Sequence, residues 1–356
     1  MKALVATGRA AEPVRFAEVE QPRPGPGEAL VKVEAFSVNR GETFQLEAPP
    51  AGWRPGKDVA GLVVQAAADG SGPAVCRRVV GHPPAGGWAE YVCVPTSSLA
   101  ELPDCLDAVR AAALPLAGLT ALRLLRAAGP LAGRRVLLTG ASGGVGHYVT
   151  ELAAAAGAEL TAVTASPERG RRLVELGAAE VAHEPGAARG PYDLVLESTG
   201  GAALPLALAR LARRGTLIWF GQASRTPVTL DFFDFFRGPE SAVVRHFHYA
   251  DSDVSDGADL ATLVRLTGEG RLSPELGRVA PWAETAAVLT DLRERRIRGK
   301  AVLTLACPPR LRPIRRELPP CPTSPSSTPP ACCPPSSRRT ARAPTAPAWT
   351  RTSTPG

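Results

Sequence analysis

The most specific chemistry in the chain lies where an apolar run, Val136-Leu137-Leu138-Thr139, meets Gly140-Ala141-Ser142-Gly143-Gly144-Val145-Gly146 and then a helical stretch. Glycines at 143, 144 and 146 lack the Cβ atoms that would hold an anion off the backbone. A helix beginning there points its first N–H groups, at the positive end of its dipole, toward that anion. A strand before, a helix after and a second strand following turn a weak glycine pattern into a dinucleotide signature. Gly140, Ala141, Gly143, Gly144, Val145 and Gly146 are therefore expected to cradle a pyrophosphate, the bland alternative being a tight structural turn. The end of the next strand distinguishes the nicotinamide cofactors. An NAD site places an acid about 20 residues past the turn to bind the ribose 2′-hydroxyl, whereas an NADP site accommodates a phosphate. Thr161-Ala162-Val163-Thr164-Ala165-Ser166 contains no acid, and Arg169, Arg171 and Arg172 follow. A hydroxyl and a guanidinium suit a phosphate, so Ser166 and Arg169 are expected to hold the 2′-phosphate of NADPH. At least one of the three arginines is expected to be an ordinary solvated helix position.

These residues need a scaffold, and the pattern of the chain outlines it. Residues 1–100 read as short strands, Lys2–Ala6, Ala29–Ala35, Val59–Ala66 and Ala89–Val94, separated by Pro and Gly clusters, which implies a small β-barrel or sandwich module. From Asp107 to Ala128 apolar positions recur at helical spacing around a break at Pro115–Gly118. After Gly133 strands and helices alternate: strands at Val136–Thr139, Leu160–Thr164, Leu194–Glu197 and Thr216–Phe220, helices at Gly146–Ala156, Pro167–Leu176 and Leu204–Ala212. Such alternation calls for a parallel sheet covered on both faces. Helices near Ala258–Thr267 and Ala283–Glu294 and an apolar strand at Ala301–Ala306 complete the body.

Charge and cysteine usage divide the chain at the same place. Of 41 basic and 34 acidic residues, positions 307–356 hold 8 basic and one acidic, which leaves 1–306 with 33 of each. The neutral body gives no reason to expect nucleic acid or a membrane surface as partner. Binding of nucleic acid through the Arg-rich tail is a separate, weaker option. Fourteen of the 36 prolines also fall in 307–356, and a segment of that composition is expected to be disordered and dispensable. Cys76, Cys93 and Cys105 do not form a disulfide framework in the sequence, which points to a reducing, cytoplasmic setting, and the tail's Cys332-Cys333 pair looks incidental. No apolar run is long enough to cross a bilayer.

Leu114-Pro115-Leu116-Ala117-Gly118-Leu119-Thr120-Ala121, Gly140–Gly146 and Gly299-Lys300-Ala301-Val302-Leu303 together resemble the medium-chain dehydrogenase/reductase superfamily, in its zinc-independent NADPH:quinone oxidoreductase-like branch. Asn39-Arg40-Gly41-Glu42, Gly56-Lys57-Asp58 and Gly86-Gly87-Trp88 extend the resemblance over about residues 1–306. It implies an α/β chain with a Rossmann-type parallel-sheet domain inserted in a GroES-like β-rich catalytic domain. The expected division is 1–118 and 249–306 for the catalytic domain, 119–248 for the NADPH-binding domain and 307–356 for the tail. By position, Thr120 would contact the nicotinamide half, and Phe220, Gly221, Gln222 and Phe247 would line the cofactor. Zinc members of the superfamily place a Cys where this chain has Asn39 and a His-Glu pair at Lys57-Asp58, so no metal is expected. His82 and His248 are expected to be surface or packing residues.

Without a metal to polarise an alcohol, the resemblance implies hydride transfer from NADPH to a quinone or an α,β-unsaturated carbonyl. Asn39 is the expected polar contact to substrate or nicotinamide ribose, with holding a loop turn as its alternative role. Arg40 is the expected stabiliser of enolate charge, or else an exposed turn residue. Phe44 and Trp53 would form an aromatic wall, and no general acid is identifiable. A zinc-type alcohol dehydrogenase relative and a non-catalytic NADPH-binding protein are the competing readings. The expected partners are a small-molecule substrate and, as one option, a second copy of the chain.

Overall fold

The computed structural model describes residues 1–305, which build a two-stranded hairpin, two larger sheets and the helices that cover them. The expectations for the tail fall outside the described residues. A hairpin of β1 (Lys2–Arg9) and β2 (Glu12–Glu18) precedes β3 (Glu28–Val38), where Val31 and Val33 face inward and Lys32 and Glu34 outward. The last four residues of β3 are buried on both faces. The chain continues through α1 (Arg40–Gln45), β4 (Asp58–Gln65), β5 (Arg78–Gly81), β6 (Tyr91–Pro95) and β7 (Leu99–Glu101) into α2 (Ala108–Ala112) and α3 (Pro115–Ala128). Pro115 occupies the first turn of α3, where a missing N–H costs no helical bond, so the supposed break at Pro115–Gly118 is a helix start.

The parallel sheet follows. Its strands are β8 (Arg135–Leu138), β9 (Glu159–Val163), β10 (Glu180–Ala182), β11 (Tyr192–Glu197), β12 (Leu211–Trp219) and β13 (Val243–His246). Between them run α4 (Gly144–Ala155), α5 (Pro167–Glu175) and α6 (Ala203–Leu208). All neighbouring strands pair parallel in the order β10-β9-β8-β11-β12-β13. Val136–Leu138 and Leu194–Leu196 are fully buried, as strands covered by helices on both faces must be. The winding direction reverses between β8 and β11, which opens a crevice outside their carboxyl ends.

Finally α7 (Asp256–Gly268), β14 (Leu276–Pro281), α8 (Thr285–Arg293) and β15 (Lys300–Thr304) bring the chain back to its beginning. β15 pairs antiparallel with β3 and completes a seven-stranded sheet, β14-β15-β3-β4-β5-β7 with β6 also on β3. One lobe is thus built from both ends of the described residues with the parallel-sheet lobe inserted. Its register matters for the site: Val38 lies opposite Ala301 and Ser37 opposite Asp58. Lys300, Asn39 and Asp58 consequently stand side by side at one end of three adjacent strands. Cys93 is a free thiol, but Cys76 and Cys105 each take part in a disulfide, so the expectation of three reduced body cysteines holds only for Cys93.

Candidate active site

The glycine turn sits at the carboxyl end of β8. Gly140 adopts a left-handed φ of +63°, and a Cβ there would lie 2.5 Å from Ser198 Oγ at the end of β11. At Gly146 a Cβ would stand 2.6 Å from the Ala141 Cα, so glycine is what lets α4 start tight against the turn. No side chain caps α4, while Gly143 is exposed and Gly144 and Val145 are half-buried. The helix therefore presents uncapped N–H groups at an accessible turn, which fits a pyrophosphate. Buried Glu197, at the end of β11, fixes the neighbouring loop. Its carboxylate accepts from Thr139 Oγ1 (3.0 Å) and from the N–H groups of Thr199 (2.9 Å) and Gly200. Burial pushes its pKa up against those donors. Phe220 donates its N–H to the Glu197 carbonyl and Phe247 to that of Trp219, which places Phe220, Gly221 and Phe247 just beyond the carboxyl ends of β12 and β13, with Phe247 buried in the core and Phe220 packed against it.

Ser166 and Arg169 lie where β9 gives way to α5. Ser166 is the residue before the helix, yet its hydroxyl makes no capping bond. Arg169 donates to the carbonyl of Arg295. Burial and then the nearby charges of Arg295 and Arg169 hold Arg40 below the usual guanidinium range, which shows three cations sharing one neighbourhood. Such an arrangement suits a multiply charged anion. Arg172 is instead committed to Glu275 (2.9 Å) and Glu175 (2.9 Å), and Arg171 is exposed. Arg40 donates to the Leu292 carbonyl (3.2 Å) and stands with the arginine group rather than at the polar centre beside Asn39. Arg295 belongs to the same group, and nothing local in the sequence marks it.

Asn39 lies in a buried polar cluster. Its Oδ1 accepts from Lys300 Nζ (2.5 Å) and its Nδ2 donates to Asp58 Oδ2 (2.7 Å). Lys300 also reaches Asp58 Oδ2 at 3.1 Å, and Ser37 Oγ donates to the same oxygen (2.6 Å). The other Asp58 oxygen accepts the N–H of Leu116 at the start of α3 (2.9 Å). Burial alone would raise the Asp58 pKa, but the Lys300 ammonium, then His82 and Ser37, outweigh it and keep this carboxyl far below its ordinary range. Glu42 accepts from the N–H groups of Asn39 (2.9 Å) and Gly56 (3.0 Å). Burial, then the Asp58 charge, push its pKa up to about 7. His82 is buried rather than at the surface, with both ring nitrogens partnered. His248 is exposed.

A catalytic zinc does not fit this centre. Asn39 Oδ1 and Asp58 Oδ2 already face an ammonium, and tetrahedral zinc needs several thiolate, imidazole or carboxylate ligands together. Among the described residues no group of three His, Cys, Asp or Glu could hold a metal ion. The cluster adjoins the phosphate turn directly. Gly299 donates its N–H to Ser142 O (3.0 Å), and the Lys300 stem runs past Gly144, 2.9 Å from where a Cβ would be. Thr120 is buried on α3 and spends its hydroxyl hydrogen on Leu116 O. Phe44 lies under the Arg225 guanidinium, 4.8 Å from its ring centre, while Trp53 packs on the core of the first lobe.

Comparison with known proteins agrees with this architecture. Residues 25–104 match the alcohol dehydrogenase GroES-like domain and residues 170–303 the zinc-binding dehydrogenase domain. A quinone oxidoreductase of Pseudomonas aeruginosa is 31% identical across 82% of this chain and 95% of its own. An alcohol dehydrogenase of Geobacillus stearothermophilus is 27% identical across 81% and 94%. A mycobacterial protein solved in complex with NADPH superposes with a TM-score of 0.78 at 27% identity, covering 85% of this chain and 99% of that one. The chain belongs to the medium-chain dehydrogenase/reductase superfamily of oxidoreductases, in its quinone oxidoreductase-like branch.

Proposed function

We propose that the chain reduces a quinone or an α,β-unsaturated carbonyl with NADPH and without a metal ion. The observation that carries this reading is the Lys300 ammonium held between Asn39 and Asp58, where zinc members of the family place metal ligands. Bound NADPH supplies a hydride, which suits acceptors that are electrophilic without Lewis-acid help. The uncapped N–H groups of Gly144, Val145 and Gly146 receive the pyrophosphate. Ser166, Arg169, Arg295 and Arg40 receive the 2′-phosphate, and Thr120, Phe220, Gly221 and Phe247 border the nicotinamide half. Asn39 acts here by fixing Lys300 and Asp58, since both ends of its amide are engaged within the protein. The quinone oxidoreductase relative and the NADPH-bound neighbour support the same reading.

The experiment is cofactor titration of Arg169→Ala. Loss of one charge-assisted phosphate contact is expected to cost roughly 1.5–3 kcal/mol of NADPH binding and almost none of NADH binding. Equal weakening of both would displace the 2′-phosphate from this site.

A second copy of the chain is proposed as partner. β13 is the edge of the parallel sheet, with Val243 and Val244 exposed at 52% and 40%, and the nearby 3-10 turn Phe232–Phe236 exposes three phenyl rings. An apolar sheet edge of this kind calls for a cover, and self-pairing across a two-fold axis supplies one.

A further inference from the structure

Reduction of a carbonyl-bearing acceptor needs a proton as well as a hydride, and Asn39 and Lys300 are committed to Asp58. A separate hydroxyl–imidazole pair adjoins the same centre. Tyr249 follows β13 on the segment that Phe247 anchors to the Trp219 carbonyl, at the crevice edge of the parallel sheet. Arg123 Nη1 holds the Tyr249 carbonyl (2.9 Å), and Arg123 is itself fixed by Asp259 and Asp256. The Tyr249 hydroxyl lies 3.2 Å from His82 Nε2, and the two rings meet edge-on at 5.7 Å. His82 Nδ1 is 2.8 Å from the Lys57 carbonyl and 3.4 Å from Asp58 Oδ1. A carbonyl oxygen only accepts, so Nδ1 carries hydrogen. In the neutral ring Nε2 then accepts from the phenol. Tyrosine, histidine and aspartate thus form one chain from the crevice edge to the buried cluster.

We propose that Tyr249 is the proton donor of the reaction and that His82, backed by Asp58, restores its proton. This rests on the hydride-transfer reading above. As hydride from NADPH bonds to the acceptor carbon, an electron pair moves to the acceptor oxygen. The Tyr249 O–H bond breaks and its proton bonds to that oxygen. Nε2 of the neutral His82 ring then takes up one proton from solvent, the Asp58 carboxylate balancing the transient charge, and passes that proton to the tyrosinate, which returns the ring to its neutral form and the phenol to its starting state. NADPH, one proton and the acceptor become NADP and the reduced acceptor. Burial, then the Asp58 and Asp256 charges, push Tyr249 up to about 12, so the phenol stays a donor at neutral pH.

The test uses the full chain with Tyr249→Phe and His82→Asn. Tyr249→Phe is expected to lower kcat about 10²–10³-fold, the range of general acid catalysis, with the Kd for NADPH unchanged and a cooperative thermal melt retained, lowered because His82 Nε2 loses its partner. His82→Asn is expected to lower kcat about tenfold with KM unchanged. A readout without cofactor comes from ring-15N spectra, since the chain has only five histidines. His82 Nε2, identified by its loss in His82→Asn, moves downfield in Tyr249→Phe because it loses its hydrogen-bond donor. Wild-type kcat in Tyr249→Phe, or an unmoved Nε2 resonance, overturns the relay while leaving hydride transfer standing. A wild-type protein inert toward both quinones and enones overturns the hydride reading, and the relay with it.

Discussion

At the scale of single residues, one end of the catalytic-lobe sheet concentrates opposite charges out of water. Lys300, Asp58 and Glu42 are each at most 3% exposed, and every one is tied to Asn39 by a hydrogen bond or reaches it through a shared partner. Burying such groups is costly unless each finds partners, and here each does. Glu42 carries a testable consequence. Its pKa in the folded chain is about 7, above its ordinary value of 4.5, so the folded state binds its proton more tightly than the unfolded state. That contribution to stability is complete below pH ~4.5 and is lost as pH rises through about 7, amounting to about 3 kcal/mol. Asp58, held low, contributes stability that stays constant above pH ~4 and does not alter the slope. Urea unfolding of Glu42→Gln at pH 5 and pH 7.5 is expected to lack this fall. A slope equal to that of wild type would mean that Glu42 is ionised in the fold. The sequence singled out Asn39 and saw only missing zinc ligands at Lys57-Asp58. It did not show the Asp58–Lys300 pair, because 242 residues separate the partners and only the pairing of β15, β3 and β4 brings them together. The contact of Tyr249 with His82, which the sequence reads only as a surface or packing residue, was illegible for the same reason, since 167 residues separate the two.

At the scale of elements, local pattern served well where elements are long and regular. The strand–turn–helix around Gly140–Gly146 and the following alternation of strands and helices are present, although the helix expected to reach Ala212 stops at Leu208 and β12 begins at Leu211. Short elements were not legible: β5, β7, β10 and β13 have only three or four residues, too few for a period to emerge. The six-residue α1 contains Gly41 and Thr43, poor helix formers, and is held by the Glu42 carboxylate accepting the Asn39 N–H. β14, which borders β15, became a strand through its long-range partner rather than its own composition. The junction of turn and α4 can be probed directly. Gly146→Ala places a methyl against the Ala141 backbone and must push α4 away from the turn. Overpacking of this kind is expected to cost about 1–3 kcal/mol of stability and to weaken NADPH more than tenfold, read by urea unfolding and by fluorescence titration. NADPH affinity equal to wild type would remove the pyrophosphate from α4.

At the scale of the whole molecule, the segment that closes the first lobe also borders the proposed nucleotide site. Residues 295–300 supply Arg295 beside Arg169, the Gly299 N–H to Ser142 and the Lys300 ammonium to the buried cluster. Arg225 adds a link from the loop after β12 to Glu47 just beyond α1, with paired contacts of 2.8 Å. The self-association proposed above uses the β13 edge of the parallel sheet. Sedimentation is expected to give a dimer for the wild-type chain and a monomer for Phe232→Ser/Phe233→Ser, with NADPH binding retained. A wild-type monomer would show that β13 is not an interface.

Direct hydride transfer from NADPH to an electrophilic acceptor is proposed for the crevice between the two lobes. Stereospecifically deuterated NADPH and an enone test it most directly, with mass spectrometry of the reduced product. Direct transfer requires the donor and acceptor carbons to meet in one orientation at about 3–3.5 Å. Deuterium is therefore expected to reach the product carbon from one face of the nicotinamide only, at an undiminished rate in the presence of a metal chelator. Label appearing from both faces or lost to water, or an enzyme inert to enones and quinones that oxidises a simple alcohol with NADP, would contradict the account.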